Sequence, residues 1–211
     1  MINHKIVKIK RSKKKSDRFI IYLNNKSVLR VSEDAFILNP LKVGDLLSES
    51  DIKELDDKMN LHEAKDAAYR LLSYRMRSVS ELRNRLAQKG YSDLEIENVV
   101  KHLIELNYLN DEDFGKAFVR EKVKNKKIGP VALRSELAQH KLTNDLLNKL
   151  IDDIYDEYPI NDLIAFHLNK RKISKNIALS KNDHNRLNNF LKRKGFYWDS
   201  IMSVYTEWGI L

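Results

Sequence analysis

The residues that could perform catalysis or bind a metal in this 211-residue sequence are a histidine–carboxylate pair and two acidic clusters. His102 and Glu105 are three positions apart, so on a helix both lie on one face and could ligate a metal ion. Acidic residues at 111–113 and at 152–153 resemble the carboxylate clusters that hold divalent cations in nucleases. These features would indicate metal-assisted hydrolysis of a nucleic acid.

Each feature also has an explanation that needs no ligand. His102 and Glu105 are out of phase with Ile96 and Leu103, which are apolar positions of the same predicted helix, so they face solvent. The cluster at 111–113 opens a predicted helix, where carboxylates are stabilised by the helix dipole. The sequence has no cysteine and no GxxxxGK[ST], GxGxxG or HExxH motif. We therefore expect no catalytic residues, no metal and no cofactor.

The charge balance is more informative. Lys and Arg number 39 against 30 Asp and Glu, and the net charge of +9 favours a polyanionic partner. Residues 165–196 contain nine basic residues and one acid, Asp183. Cations at helix C-termini offset the helix dipole, which explains part of this placement but not the scarcity of acids. The basic residues predicted to face the partner are Arg75, Arg77, Arg83, Arg85, Lys89, Arg120, Lys122, Lys124, Lys126, Lys127, Arg134, Lys170, Arg171, Lys172, Lys192, Arg193 and Lys194.

Residues 1–60 have a pattern that differs from the rest of the chain. β-favouring runs at 19–23 and 28–31 flank a polar Asn24-Asn25-Lys26 break and predict a hairpin, to which residues 6–10 would add a third strand. We expect strands only within about the first 35 residues, because the later pattern is helical. A short helix is predicted to begin near Ser48.

From residue 61 onward the sequence contains an internal repeat with helical periodicity. Counting from Leu82, Leu133 and Leu187, apolar residues recur without gaps at offsets 4, 9, 14, 17, 18 and 21, and offset 7 holds Lys, His and Lys. Each copy reads as a short helix, a tight turn and a longer helix. A further amphipathic stretch precedes each copy, at 64–76, 113–124 and 160–172. The predicted unit therefore has three helices and occurs three times.

Residues typical of helix ends support these units. Ser78–Glu81 and Ser92–Glu95 fit capping boxes, Gly90 fits a helix C-terminus, and Gly129-Pro130 opens a helix. The second copy departs from the pattern, because Gln139-His140-Lys141 stands where a turn that contains glycine is expected. Six aromatic side chains are predicted to lie mostly in helix cores: Tyr69, Tyr74, Phe114, Phe118, Phe166 and Trp208.

The predicted fold is mostly α-helical, with tandem three-helix repeats that form a curved, right-handed-type solenoid and a small N-terminal extension of two or three strands. The predicted domains are the extension at 1–60 and three repeats at 61–110, 111–158 and 159–211. The lack of cysteine is typical of a reducing compartment. The apolar runs are too short for a membrane span, and no apolar segment follows the basic N-terminus. We therefore expect a cytoplasmic protein.

Residues 67–157 combine a set of motif positions that is specific as a whole, although each motif alone is mostly structural. The motif positions are Leu71-Leu72, Arg75, Ser78, Glu81-Leu82, Leu86, Lys89-Gly90-Tyr91, Tyr108-Leu109-Asn110-Asp111, Phe114, Ala117-Phe118-Val119, Gly129, Leu133 and Leu137. This combination closely resembles the RecX family of bacterial regulatory proteins. The third repeat matches more loosely, and residues 1–60 resemble an extension found in some members.

The resemblance implies a regulator without catalytic residues. Members of the family bind the filament of the RecA recombinase on single-stranded DNA, lie along its helical groove, and inhibit ATP hydrolysis, strand exchange and coprotease activity. The implied partners are the RecA filament and single-stranded DNA, and the implied processes are DNA repair, recombination and the SOS response. We expect a monomer whose basic residues face the filament or the DNA.

Two alternatives stay open at this point. The chain could be a helical-repeat module that binds DNA or RNA directly, without a recombinase, or a nucleic-acid-processing enzyme with an unrecognised acidic site. A direct binder loses affinity steeply with salt, in proportion to the phosphates it neutralises. A filament binder retains its preference for the recombinase-coated strand.

Overall fold

The computed structural model describes residues 3–13 and 17–210, so Lys14 and Lys15 of the basic run after the first strand lie outside the described residues. The protein is mostly helical and has a small antiparallel sheet near its N-terminus. Two compact units are present. The N-terminal unit comprises Met1–Met76 and Leu82–Leu109, and the C-terminal unit comprises Arg77–Glu81 and Asn110–Leu211.

The sheet contains the predicted hairpin and one strand more than predicted. Its strands are β1 (Asn3–Arg11), β2 (Arg18–Leu23), β3 (Val28–Ser32) and β4 (Leu46–Ser48), in the order β3-β2-β1-β4. The predicted hairpin of β2 with β3 and the predicted third strand, β1, are confirmed, and β1 pairs antiparallel with β2. The expectation that strands end near residue 35 was wrong, because β4 pairs with the free edge of β1. Three residues are too few to show the alternation that indicates a strand.

The first long helix differs from its prediction in length. After a short helix α1 (Glu33–Leu38), α2 runs over 26 residues, Glu49–Tyr74, and begins with a capping box between Ser48 and Asp51. The predicted short helix near Ser48 was therefore right in its start and wrong in its length. The predicted boundary between residues 60 and 61 falls inside α2. Its buried C-terminal positions are alanines, which give a weak apolar signal: Ala64, Ala67 and Ala68.

The remaining helices follow one another with short connections, except for the longer segment 171–180 between α8 and α9. They are α3 (Val79–Gln88), α4 (Asp93–Glu105), α5 (Asp111–Glu121), a π-helical turn (Lys122–Lys126), α6 (Pro130–Ala138), α7 (Asn144–Glu157), α8 (Ile160–Lys170), α9 (Lys181–Arg193) and α10 (Trp198–Trp208). The capping box at Ser92 is confirmed, and Ser78 Oγ accepts from the backbone N–H of Glu81 at 3.1 Å. Within the described residues, we find no helix that combines the length and apolar character needed to cross a membrane.

The repeated positions are core positions. At offsets 0, 4, 14, 17, 18 and 21 the side chain is buried in all three copies. At offset 8 the backbone is left-handed in each copy, with φ of 90° at Gly90, 53° at Lys141 and 86° at Gly195. The second copy thus keeps the same turn conformation, although Lys141 replaces glycine there. His140, beside it, packs its ring against Phe114 at a centroid distance of 4.7 Å.

The aromatic side chains divide between core and surface. Phe114 and Trp208 are buried, as expected. Tyr69, Tyr74 and Phe166 are 39%, 85% and 43% exposed, so the core assignment of these three was wrong. Tyr74 is the last residue of α2, where no following helical turn covers it.

Two leucines at offset 4 test the core assignment. Leu86 and Leu137 are both 0% exposed, and replacing either with alanine is expected to cost about 2–5 kcal/mol of unfolding free energy, because it leaves a cavity in a packed core. Leu94→Ala is the matched control, since Leu94 is 74% exposed. Urea denaturation measures the difference. Equal midpoints for the core variants and the control would contradict the assigned core.

Candidate nucleic-acid interface

The candidate interface lies in the C-terminal unit, where the segment before α6 meets the turn after α9. The backbone N–H of Gly129 donates to the carbonyl of Lys194 at 2.8 Å, and that of Val131 donates to the carbonyl of Gly195 at 3.0 Å. A Cβ atom on Gly129 would overlap the Gly195 carbonyl, and one on Gly195 would overlap Ala132. The two backbones can therefore approach this closely only because both positions are glycine.

A buried histidine forms the floor of the site. His167 of α8 lies with its Nε2 2.7 Å from the carbonyl oxygen of Lys127, and its ring packs edge-on against Phe190 at 5.2 Å. Burial lowers the pKa of His167, and the nearby charges of Lys194 and Arg171 lower it further. The ring is therefore neutral at pH 7, and its Nε2–H donates to the carbonyl. This bond ties α8 to the chain just before α6.

Cations and aromatic rings surround this floor. Arg171 lies 3.8 Å from the ring centroid of Phe190, and the Lys194 ammonium lies 5.9 Å from the same centroid. The Lys127 ammonium is 5.4 Å from the ring centroid of Phe166. We call the following residues the basic–aromatic cluster: Lys127, Lys170, Arg171, Lys194, Phe166 and Phe190. A concavity of about 300 Å³ opens within it, lined by His167, Lys170, Arg171, Phe190 and Lys194.

The chemistry of the cluster suits a nucleic-acid strand. Ammonium and guanidinium groups bind phosphate, and exposed aromatic faces such as that of Phe166 can stack on bases. No Asp or Glu is among the described residues that line the concavity. The cluster therefore combines positive charge with flat apolar surface and offers hydrogen-bond donors to a polyanion.

Several other predicted basic residues are engaged by groups within their own unit. Their partners are Glu81 for Arg77, Glu97 for Arg83 at 2.7 Å, Glu157 for Arg120 at 2.6 Å, Glu136 for Lys122 and Lys126, and Asn148 for Arg134 at 2.8 Å. The Glu136 carboxylate also raises the pKa of Lys122. These carboxylates neutralise part of the charge on which the sequence prediction relied.

The remaining predicted residues lie on the surface in separate places. Arg85 and Lys89 belong to the N-terminal unit with Arg75 and Arg83, and all four are exposed. In the C-terminal unit, Lys124, Lys172 and Arg193 are exposed, and Lys192 lies 4.9 Å from the ring centroid of Trp198. The structure thus brings four of the predicted cations, Lys127, Lys170, Arg171 and Lys194, into one cluster.

Sequence reasoning missed the uncharged members of the cluster. The hydrogen bond from His167 to the Lys127 carbonyl could not be read from spacing, because Lys127 lies 40 positions earlier in the chain. Phe190 had a usable signal: it lies one helical turn before Lys194, a spacing that places a ring beside a cation on one helix face. Phe166 was assigned to the core and is exposed instead.

The first acidic cluster and His102 have structural partners. Asp111 Oδ1 accepts from the backbone N–H of Val79 at 2.8 Å, and Asn110 caps α5 through the N–H of Glu112 at 2.9 Å. His102 Nε2 lies 3.5 Å from the hydroxyl of Tyr69. The cap explanation of residues 111–113 is thus confirmed.

One group of side chains in the N-terminal unit has metal-ligand types. Asp17, His62 and Asp66 place ligand atoms within 4.8 Å of one another. The guanidinium of Arg18 lies beside them, with Nε 3.6 Å from Asp17 Oδ1, and already supplies positive charge to this carboxylate. A cation bound there would be repelled by Arg18.

The helices and the cluster together define a protein of three-helix domains that carries a basic surface in its C-terminal unit. Family models agree with this class: "RecX, first three-helix domain" matches residues 64–103, and "RecX, second three-helix domain" matches residues 110–150. A relative from Bacillus velezensis named "Regulatory protein RecX" is 32% identical over 202 residues, which are 96% of this chain and 76% of the relative. The chain belongs to the RecX family.

Further relatives and solved structures agree. The proteins of the same name from Bacillus subtilis and from Listeria monocytogenes are 31% and 26% identical, each over 96% of this chain and 76% and 75% of the relative. A crystal structure described as regulatory protein RecX has a TM-score of 0.71 at 22% identity and covers 96% of this chain and 99% of its own. RecX from Lactobacillus salivarius has a TM-score of 0.61 at 19% identity, over 71% of this chain and 97% of its own. These two structures support the fold.

The floor histidine predicts a pH dependence. Because the pKa of His167 is lower in the folded protein than its usual 6.5, the stabilisation it contributes is complete above pH 6.5 and is lost as the pH falls through the folded-state pKa. The difference in unfolding free energy between the parent and His167→Gln should therefore shrink from about pH 7 to about pH 5, by at most about 1.4 kcal/mol per pH unit. Urea denaturation at several pH values over this range measures this difference. Contributions from ionisable groups that both proteins share cancel in the difference. A difference that stays constant with pH would show that His167 is not held neutral.

Proposed function

We propose that this protein binds the RecA recombinase filament on single-stranded DNA and inhibits its ATP hydrolysis, strand exchange and coprotease activity. In the cell it would thereby modulate DNA repair, recombination and the SOS response from the cytoplasm. Membership of the RecX family supports a regulatory role. The observation that carries the proposal is the basic–aromatic cluster, which gathers four cations around a concavity that no carboxylate of the described residues lines.

We further propose that the three-helix units, at 61–110, 111–158 and 159–211, form a curved solenoid that follows the filament as a monomer, with residues 1–60 as an extension. Two observations support this arrangement. Equivalent positions are buried in each copy, and the turn at offset 8 is left-handed in each. A tandem array of such units exposes a long surface, and such a surface is better suited to binding a long partner than to binding a small ligand.

Inhibition by binding alone needs no catalytic group on this chain. A recombinase that hydrolyses ATP passes through more than one conformation, and a ligand that binds one of them more tightly shifts the population toward it. The cluster is suited to tight binding because it offers donors to phosphate oxygens. His167, on the floor of the concavity, is neutral and already donates its Nε2–H to the carbonyl oxygen of Lys127.

The second candidate function is direct binding of DNA or RNA without a recombinase. The exposed ring of Phe166 and the ring of Phe190, each beside a cation, favour it because they could stack on bases. The two functions differ in what they require. The first requires the recombinase, and the second requires only the strand.

Charge reversal in the cluster tests the proposed function. We expect Arg171→Glu with Lys194→Glu to raise the protein concentration needed for half-inhibition of RecA ATPase on single-stranded DNA about tenfold, because charge steers association and opposes dissociation from an anionic filament. The difference between the variant and the parent should shrink as salt rises, because salt screens the interaction that the reversal removes. The matched control is Lys181→Glu with Arg186→Glu on α9, which changes the net charge equally and lies outside the concavity.

Circular dichroism must show equal helical content in all variants. Half-inhibition at the same concentration for the cluster variant and the control, across the salt series, would contradict the role of the cluster. Equal binding of parent and cluster variant to RecA-coated strands, with weaker binding of the cluster variant to bare strands, would favour the second function.

A further inference from the structure

A second basic surface lies in the N-terminal unit, on the solvent face of the sheet. Lys10 of β1 pairs with Ile20 of β2, and Ile20 pairs with Arg30 of β3, so their side chains lie side by side on one face. The opposite face packs Ile21 and Leu29 into the core of this unit. The next row on the solvent face consists of Lys8, Tyr22 and Val28.

A concavity of about 480 Å³ lies over these rows. Its lining combines the apolar surface of Ile20 and Tyr22 with five cations, and no Asp or Glu is among the described residues that line it. The five cations are Lys10, Arg11, Lys13, Arg18 and Arg30. We call this surface the sheet face.

Arg18 is the buried cation of this lining. Its side chain is only 6% exposed, and it pairs with Glu63 and, through Nε at 3.6 Å, with Asp17. Its charge is therefore partly neutralised within the unit. The exposed cations of the lining, Lys10, Arg11, Lys13 and Arg30, are the ones that a ligand would reach.

The positive charge of the sheet face is only partly neutralised. Arg11 forms an ion pair with Glu33. Lys10, Lys13 and Arg30 form no ion pair with any residue that the structure describes. Charge is therefore available to an anionic ligand on β1 and β3, the two strands that flank β2, and just beyond the end of β1.

We propose that the sheet face binds single-stranded nucleic acid, with phosphates on the cations and a base on the ring of Tyr22. A duplex offers phosphates but keeps its base planes stacked inside, so it would leave the apolar floor uncovered. An acidic peptide would satisfy the cations but has no flat group for this floor. A single strand supplies both, as in other surfaces that join cations to an aromatic platform.

The proposal is tested on the full-length protein without recombinase, so its outcome is independent of the proposed function. The probe is a fluorescent oligothymidylate of about 15 nucleotides, and anisotropy over a salt series gives the binding constant. Lys10→Glu with Arg30→Glu should weaken binding and reduce the slope of log K against log salt by about 1.4, because two phosphate contacts are lost. Tyr22→Val, which keeps a strand-forming residue, should weaken binding about tenfold.

The matched control is Lys42→Glu with Lys53→Glu, which makes the same charge change in the same unit outside the concavity. Circular dichroism melts must match for all variants, and Lys10→Gln with Arg30→Gln serves if the reversal unfolds the sheet. A sheet-face variant that binds like the control would overturn the site. Unchanged binding by Tyr22→Val, or equal competition by a duplex of the same length, would overturn the assignment to a single strand.

Discussion

The close contact between Gly129 and Gly195 is the constraint on which the candidate interface depends. It joins two segments more than sixty positions apart by backbone hydrogen bonds, and it excludes any Cβ atom at either position. The chain on one side carries Lys127, and the turn on the other carries Lys194. Like charges gathered in this way repel each other. Aromatic rings and carbonyl oxygens offset part of the repulsion: the Lys194 ammonium, for example, lies over the ring of Phe190 and donates to the carbonyl of Lys126. This surface holds cations together, and the part of the chain that the structure describes places no carboxylate in the lining, so the surface is suited to binding an anion.

Much of the helical architecture could be predicted from sequence. Buried positions recur at the helical period, and this recurrence persists although the residues differ between the three copies. Leu82, Leu133 and Leu187 are all buried, and so are their partners four positions later. The turn of the second copy shows why the repeat is stronger evidence than any single residue. Lys141 adopts the left-handed conformation that Gly90 and Gly195 adopt, since the packed helices on either side require the turn and outweigh the preference of the side chain.

Features that depend on contacts between distant segments could not be predicted. β4 is too short to show a period, and only its pairing with β1 identifies it. The charge count treated all lysines and arginines alike, whereas Arg83 and Arg120 are paired with carboxylates and Arg171 lies on a ring. The sheet face depends on strand register, because Lys10 and Arg30 are neighbours only through Ile20 between them. Sequence therefore indicated an excess of positive charge but not which basic residues lie together.

Site-specific photocrosslinking tests the central claim, that the basic–aromatic cluster contacts a recombinase filament, most directly. A photoreactive residue at position 170, exposed at the end of α8, is compared with one at position 186, which is exposed on α9 outside the concavity. Full-length protein is irradiated with RecA-coated single-stranded DNA, and the crosslinked partner is identified by mass spectrometry. We predict crosslinks from position 170 to RecA or to the strand within the filament, and few from position 186. Crosslinks from position 186 alone, or from position 170 only to bare DNA, would contradict the account.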